Sequence, residues 1–105
     1  MKKSKINVIK KRAVVLSILK KLKPDLMQQF GVKQLSLFGS TARDEAIEQS
    51  DIDILVSFYG VATSARYFGV QFYLEDNLGC KVDLVTDKAV RKELRPFIEK
   101  EAIRV

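Results

Sequence analysis

Two acids set inside a run of apolar, strand-forming residues constrain this chain more than any other feature: Asp51-Ile52-Asp53-Ile54-Leu55-Val56. Asp is depleted in strands because its short carboxylate competes for backbone hydrogen bonds and is costly to bury. Side chains alternate across a strand, so the pattern predicts Asp51 and Asp53 on one face and Ile52 and Ile54 on the other. The strand then has a face to bury and a carboxylate edge to leave open. A second apolar run, residues 35–38, leads directly into Gly39-Ser40 and a helix start at Thr41-Ala42-Arg43. Paired carboxylates repel unless a cation sits between them, and Mg²⁺ favours one or two carboxylates plus phosphate oxygens. Gly39 lets the main chain approach a ligand closely, and free N–H groups with the Ser40 hydroxyl can meet a phosphate. One strand–turn–strand unit thus offers a phosphate cradle and a metal edge.

Gly39-Ser40, ten residues and Asp51-Ile52-Asp53 resemble the GS-x10-DxD signature of the DNA polymerase β-like nucleotidyltransferases. Lys81-Val82-Asp83-Leu84-Val85 is similar to their third-carboxylate strand. The likeness covers about residues 31–105, and the small size points to the minimal nucleotidyltransferase (MNT) proteins, often antitoxins paired with HEPN-domain toxins. The resemblance implies that Asp51, Asp53 and Asp83 hold two Mg²⁺ ions, with Asp83 as base or second-metal bridge, and that Gly39, Ser40 and Arg43 grip the phosphates. It implies transfer of AMP from ATP to a hydroxyl, a Tyr of a cognate HEPN RNase toxin. A non-catalytic antitoxin that neutralises its partner by binding alone is the alternative. The chain departs from the family pattern at Asp44, where Gly usually follows the Arg; Asp tolerates left-handed backbone better than most residues, so the turn can survive. Each residue also has a plainer role open to it: strand-edge solvation for the aspartates, helix N-capping for Ser40, and an ion pair with Asp44 or Glu48 for Arg43.

A length of 105 residues fits a single domain, with N-terminal helices over 1–31 and a catalytic core over 32–105. The absence of His and the single Cys80 exclude a zinc cluster, a histidine general base and an internal disulfide. Catalysis has to run on carboxylates, Lys, Arg, Tyr and metal, and Cys80 reads as a small buried hydrophobe. The N-terminal segment mimics a signal peptide only superficially, since Lys20-Lys21 closely follow its longest apolar run. The expectation is a cytoplasmic protein with no membrane contact.

Ile9, Ala13, Leu16, Leu19 and Leu22 recur at helical steps and predict an amphipathic helix over residues 7–23. Its other face is basic: nine of the 19 Lys and Arg lie in the first 23 residues. That face is either solvated or a docking surface for an acidic partner or RNA. No aromatic is interleaved with the lysines, which argues against a single-strand stacking platform and against direct nucleic-acid binding. Pro24 predicts the start of a second short helix, 25–30, ended by Gly31. Strands are expected at 33–38, 52–56 and 80–85, and a helix at 63–78 whose Gly69 marks close packing or a weak point. Tyr59, Tyr67, Phe68, Phe72 and Tyr73 read as core in preference to base contacts. Asp87 can cap a turn, Pro96 can start a last helix through Glu101, and 102–105 can add an edge strand. The order predicts an α/β (α+β) fold, a small mixed sheet covered by helices, of the polymerase β-like nucleotidyltransferase kind.

Overall fold

Strand alternation decides the architecture over residues 10–105, the part described by the computed structural model. In chain order the elements are α1 (Arg12–Phe30), β1 (Val32–Phe38), α2 (Gly39–Ala42), β2 (Ile52–Phe58), α3 (Ser64–Leu78), β3 (Val82–Thr86), a 3-10 turn (Asp87–Ala89), α4 (Arg95–Glu101) and β4 (Ile103–Arg104). Every second residue of the strands turns inward: Leu35 and Leu37, Ile52, Ile54 and Val56, then Val82 and Leu84 are all buried. Val15, Leu19 and Leu26 of α1 and Val70, Leu74 and Leu78 of α3 close over that face to complete one core. The opposite strand positions, Asp53 and Asp83 among them, stay at least partly exposed.

The sheet order is β3-β2-β1-β4. β1 is antiparallel to both β2 and β4, whereas β2 and β3 are parallel and joined by α3 as the crossover that a parallel pair requires. The register sets Phe38 beside Asp53 and Asp53 beside Asp83. The turn that follows Phe38 is therefore delivered to the end of β2 where the first strand carboxylate stands.

Three expectations are corrected here. Pro24 does not begin a new helix but lies inside α1. Its missing N–H leaves the Lys20 carbonyl without a helical partner, at an exposed turn where water can serve. Burial of Leu19 before the proline and Leu26 after it holds the helix together across the break. The inward stripe also differs: Val15, Leu19 and Leu26 are buried and Ala13 is exposed, while residues 7–9 of the expected helix lie outside the described residues. Among the aromatics, Tyr59, Phe68 and Phe72 stand in solvent at 57%, 49% and 59% exposure, so they are not core. Phe68 and Phe72 stack on each other along the outer side of α3, with ring centroids 6.1 Å apart.

The rest of α3 follows its pattern. The Thr63 side chain caps it by accepting from the Arg66 N–H, and Gly79 ends it. Gly69 marks close packing: a Cβ there would lie 2.4 Å from the Phe30 ring of α1. Tyr67 and Tyr73 lean on the core, the Tyr67 hydroxyl donating to the Leu84 carbonyl and the Tyr73 hydroxyl to Asp25 Oδ2 at 3.0 Å. Cys80 is half-buried against the core rather than enclosed, and burial pushes its thiol pKa up. Among the described residues, no helix is long and apolar enough to cross a membrane.

Candidate active site

Parallel neighbours in a sheet lie about 4.8 Å apart, so an in-register pair of aspartates on the same face must bring two carboxylates together. Asp53 and Asp83 are such a pair. Asp53 is half-buried on the central strand and Asp83 exposed on the edge strand. The Asp53 carboxyl is pushed up to about 6 from 3.8, first by burial, then by the charge of Asp83 and hydrogen bonding to it, with smaller contributions from Asp51 and Glu101. Asp51 precedes the first residue of β2 and is exposed, at the rim of an open pocket of about 370 Å³ that it shares with Lys10, Ser50, Cys80 and Lys81. Its charge reaches Asp53, but the tight pair spans two strands, not two positions on one. Ser50 shapes the approach to β2: its Oγ accepts from the Ile47 N–H at 3.0 Å, closing the turn before the strand.

Gly39 meets this pair at Asp53. Its φ is +74°, and a Cβ on it would lie 2.0 Å from Asp53 Oδ2. Only glycine leaves room for the carboxylate at that register. The Gly39 N–H donates to Glu101 Oε2 at 3.0 Å, and Arg43 Nη1 donates to Glu101 Oε1 at 2.9 Å. Arg43 Nε donates to Glu45 Oε1 at 3.0 Å. Arg43 thus pairs with Glu45 and Glu101, not with Asp44 or Glu48 as its neighbours in sequence suggest, and these two contacts, Glu45 first, raise its pKa. Ser40 is not the N-cap of α2; Phe38 holds that position and Ser40 is the helix's second residue. Beside it, the fully buried Thr41 hydroxyl has no hydrogen-bond partner among the described residues.

Asp44 does adopt left-handed backbone, with φ 61°. Its carboxylate accepts from the Arg12 N–H at 3.0 Å, and Arg12 Nη1 donates to the Ala42 carbonyl at 3.2 Å. The acid at this position therefore ties the turn to the start of α1, where a negative charge suits the helix dipole. Lys10 reaches the same loop by donating to the Glu48 carbonyl.

Glu101 is the site residue that local pattern reading misses. It reads as the end of an unremarkable surface helix, and its contact with Gly39 spans 62 positions. The signal that could find it is topological: β4 follows two residues later and pairs with Ser36 and Leu37, which returns the last turn of α4 to the mouth of β1.

The donors gathered here are hard oxygens, the chemistry that suits Mg²⁺ rather than a softer ion. Asp53 and Asp83 could supply the one or two carboxylates that Mg²⁺ takes when phosphate and water complete its shell. Among the described residues, no group of three His, Cys, Asp or Glu side chains already stands at the spacing of a closed metal site. The pair also predicts a pH signature without metal. Because the folded pKa of Asp53 lies above the unfolded one, its ionisation costs folding stability as pH climbs from about 4 through about 6, and the full cost is present above that window. In EDTA near neutral pH, Asp53→Asn should therefore be more stable than wild type by an amount on the order of 1 kcal/mol after solvent screening, with the advantage gone near pH 4. Thermal melts across that range check it; an Asn variant that melts lower at neutral pH would contradict the repulsion.

Residues 19–105 match the nucleotidyltransferase domain family. The chain belongs to that family as a minimal nucleotidyltransferase, and it is an enzyme. It is 44% identical over 86 residues to a Methanocaldococcus jannaschii protein described as a candidate protein adenylyltransferase, covering 82% of this chain and 85% of that one. It is 37% identical over 89 residues to the protein adenylyltransferase MntA of Thermococcus cleftensis, covering 85% of this chain and 90% of that one. Among solved structures, one described as a candidate minimal nucleotidyltransferase superposes with a TM-score of 0.79 at 30% identity, over 90% of this chain and 96% of that one. The fold also recurs, with a TM-score of 0.59 at 22% identity over 85% of this chain and 68% of that one, in a Shewanella oneidensis complex of a tri-AMPylated HEPN toxin with its MNT antitoxin.

Proposed function

We propose that this chain transfers AMP from ATP to a tyrosine hydroxyl of a cognate HEPN-domain toxin and so acts as its antitoxin. The observation that carries the reading is the in-register Asp53–Asp83 pair with the Gly39 turn seated against its Asp53 member. The relatives named as protein adenylyltransferases and the fold shared with an MNT antitoxin bound to a modified toxin support the choice of group and partner. Asp51, Asp53 and Asp83 would hold two Mg²⁺ ions, which lower the pKa of an attacking hydroxyl and offset charge on the leaving group. The Gly39 N–H, Ser40 and Arg43 bind the β- and γ-phosphates. With the triphosphate held there, the acceptor oxygen bonds to the α-phosphorus, the α–β anhydride bond breaks, and pyrophosphate departs. Asp83, the more exposed of the pair, takes the hydroxyl proton.

ATP labelled at the α-phosphate should transfer its label to the partner toxin, and ATP labelled at the γ-phosphate should not. Stable complex formation with no transfer of either label would instead support an antitoxin that acts by occlusion. The exposed Lys20 and Lys21 of α1 are the docking candidates on the basic face. Reversing both charges is expected to slow association with the toxin and flatten its salt dependence, leaving transfer to a small acceptor unchanged. Association that is unaltered at low salt would return that face to simple solvation.

A further inference from the structure

We propose that Glu101 is an internal stand-in for phosphate, seated on the Gly39 turn until polyphosphate displaces it, so that nucleotide binding releases the end of α4. This rests on the reading of Gly39, Ser40 and Arg43 as the phosphate-binding group. Both oxygens of Glu101 are engaged, one on the Gly39 N–H and the other on Arg43 Nη1. These are two of the donors assigned to the triphosphate. The Gly39 amide has one hydrogen, and a phosphate oxygen cannot take it while a carboxylate oxygen holds it. A planar carboxylate bridging a main-chain N–H and a guanidinium is also the arrangement in which such donors take a phosphate.

Two features make displacement cheap. The Glu101–Arg43 pair is partly open to solvent, at 30% and 48% side-chain exposure, and such pairs hold weakly. None of the residues of α4 is fully buried, so little core packing resists its movement. Charge favours the exchange as well. Glu101 already adds to the repulsion on Asp53, and a triphosphate brought to the same turn would repel it further. Movement of Glu101 would be passed to β4, which begins at Ile103 and is held to β1 through Ser36 and Leu37.

Calorimetric titration of the protein with inorganic tripolyphosphate, in EDTA, separates the possibilities. Glu101→Gln keeps the side-chain shape while removing its charge, and Glu101→Ala removes the competing group. Both should bind tripolyphosphate roughly tenfold more tightly than wild type, the scale of one charge-assisted contact that no longer has to be displaced. Arg43→Ala should bind it more weakly. Glu101 variants that keep the wild-type far-UV spectrum and bind no tighter, while Arg43→Ala still weakens binding, would overturn the stand-in and leave the phosphate site intact. If Arg43→Ala and Ser40→Ala both bind as wild type does, the phosphate reading itself fails and the stand-in falls with it. A second readout in wild type needs no variant: saturating tripolyphosphate should speed hydrogen exchange at the Ile103 and Val105 amides, the latter donating to the Leu35 carbonyl, and exchange that is unchanged or slower would contradict release.

Discussion

Asp53→Ala and Asp83→Ala are each expected to lower AMP transfer by about a thousandfold or more. In the proposed mechanism, loss of a metal ligand would remove both activation of the hydroxyl and neutralisation of the leaving pyrophosphate, together several kcal/mol of barrier, and about 4 kcal/mol is three powers of ten in rate. Asp51→Ala should fall with them if the third carboxylate completes the set. Asp83 is exposed on the edge strand, so its removal leaves the core untouched. A melting temperature near that of wild type would show that the lost rate is chemical. Label transfer measured on each variant decides the matter residue by residue, and survival above about a tenth of wild-type rate would remove that residue from the site.

Gly39→Ala should be nearly as damaging, for a different reason. Left-handed backbone costs an ordinary residue about 1–2 kcal/mol, and Gly39 has φ +74°. The added Cβ would also fall 2.0 Å from Asp53 Oδ2, so Asp53 has to swing away from Asp83 or the turn has to lift. Stability should drop by about 2–3 kcal/mol, on the order of 10–20 °C for a domain of this size, with transfer reduced as far as in Asp53→Ala. Gly60 supplies the control. It has the same φ of +74°, but a Cβ there would come no nearer than 3.9 Å to its closest contact, Arg66 Nη1. Gly60→Ala should show the backbone cost alone and keep transfer. Equal losses in the two variants would mean that the Asp53 collision is immaterial.

Both expectations concern residues whose placement is legible in the amino-acid sequence alone. Period-two alternation marks β2 and β3 because it is a local signal, and it alone places Asp53 and Asp83 on the side opposite Ile52, Ile54, Val82 and Leu84. The Gly39 turn is legible for the same reason, a glycine between a strand and a helix start. What local pattern misses is either tertiary or one-sided. Pro24 carries a breaker signal, yet burial of Leu19 and Leu26 on one stripe outweighs it. Helical spacing groups Val70, Leu74 and Leu78 correctly but does not say that Phe68 and Phe72, turned off that stripe, face water. Arg43 has nearby acids in Asp44 and Glu48, but it pairs with Glu45 two positions on and with Glu101, which lies 58 positions away and is brought close by the pairing of β4 with β1. Asp44 shows the same limit: its left-handed backbone is readable, whereas its role in tying α1 through the Arg12 amide depends on packing between distant segments.

Asp53 and Asp83 form one nucleotide and metal site only if ligand recognises them together, and thermal melts of wild type, Asp53→Asn and Asp83→Asn near neutral pH, in EDTA and then with Mg²⁺ and ATP, measure that directly. Ligand that binds the native site alone stabilises it by about 2.7 kcal/mol at a concentration a hundredfold above Kd. Wild type should therefore gain several degrees with Mg²⁺ and ATP, and both Asn variants, at or above wild type in EDTA, should gain almost nothing, so that the order of stability inverts. Asn variants that melt below wild type in EDTA and respond to Mg²⁺ and ATP as wild type does would show that these aspartates do not form the site.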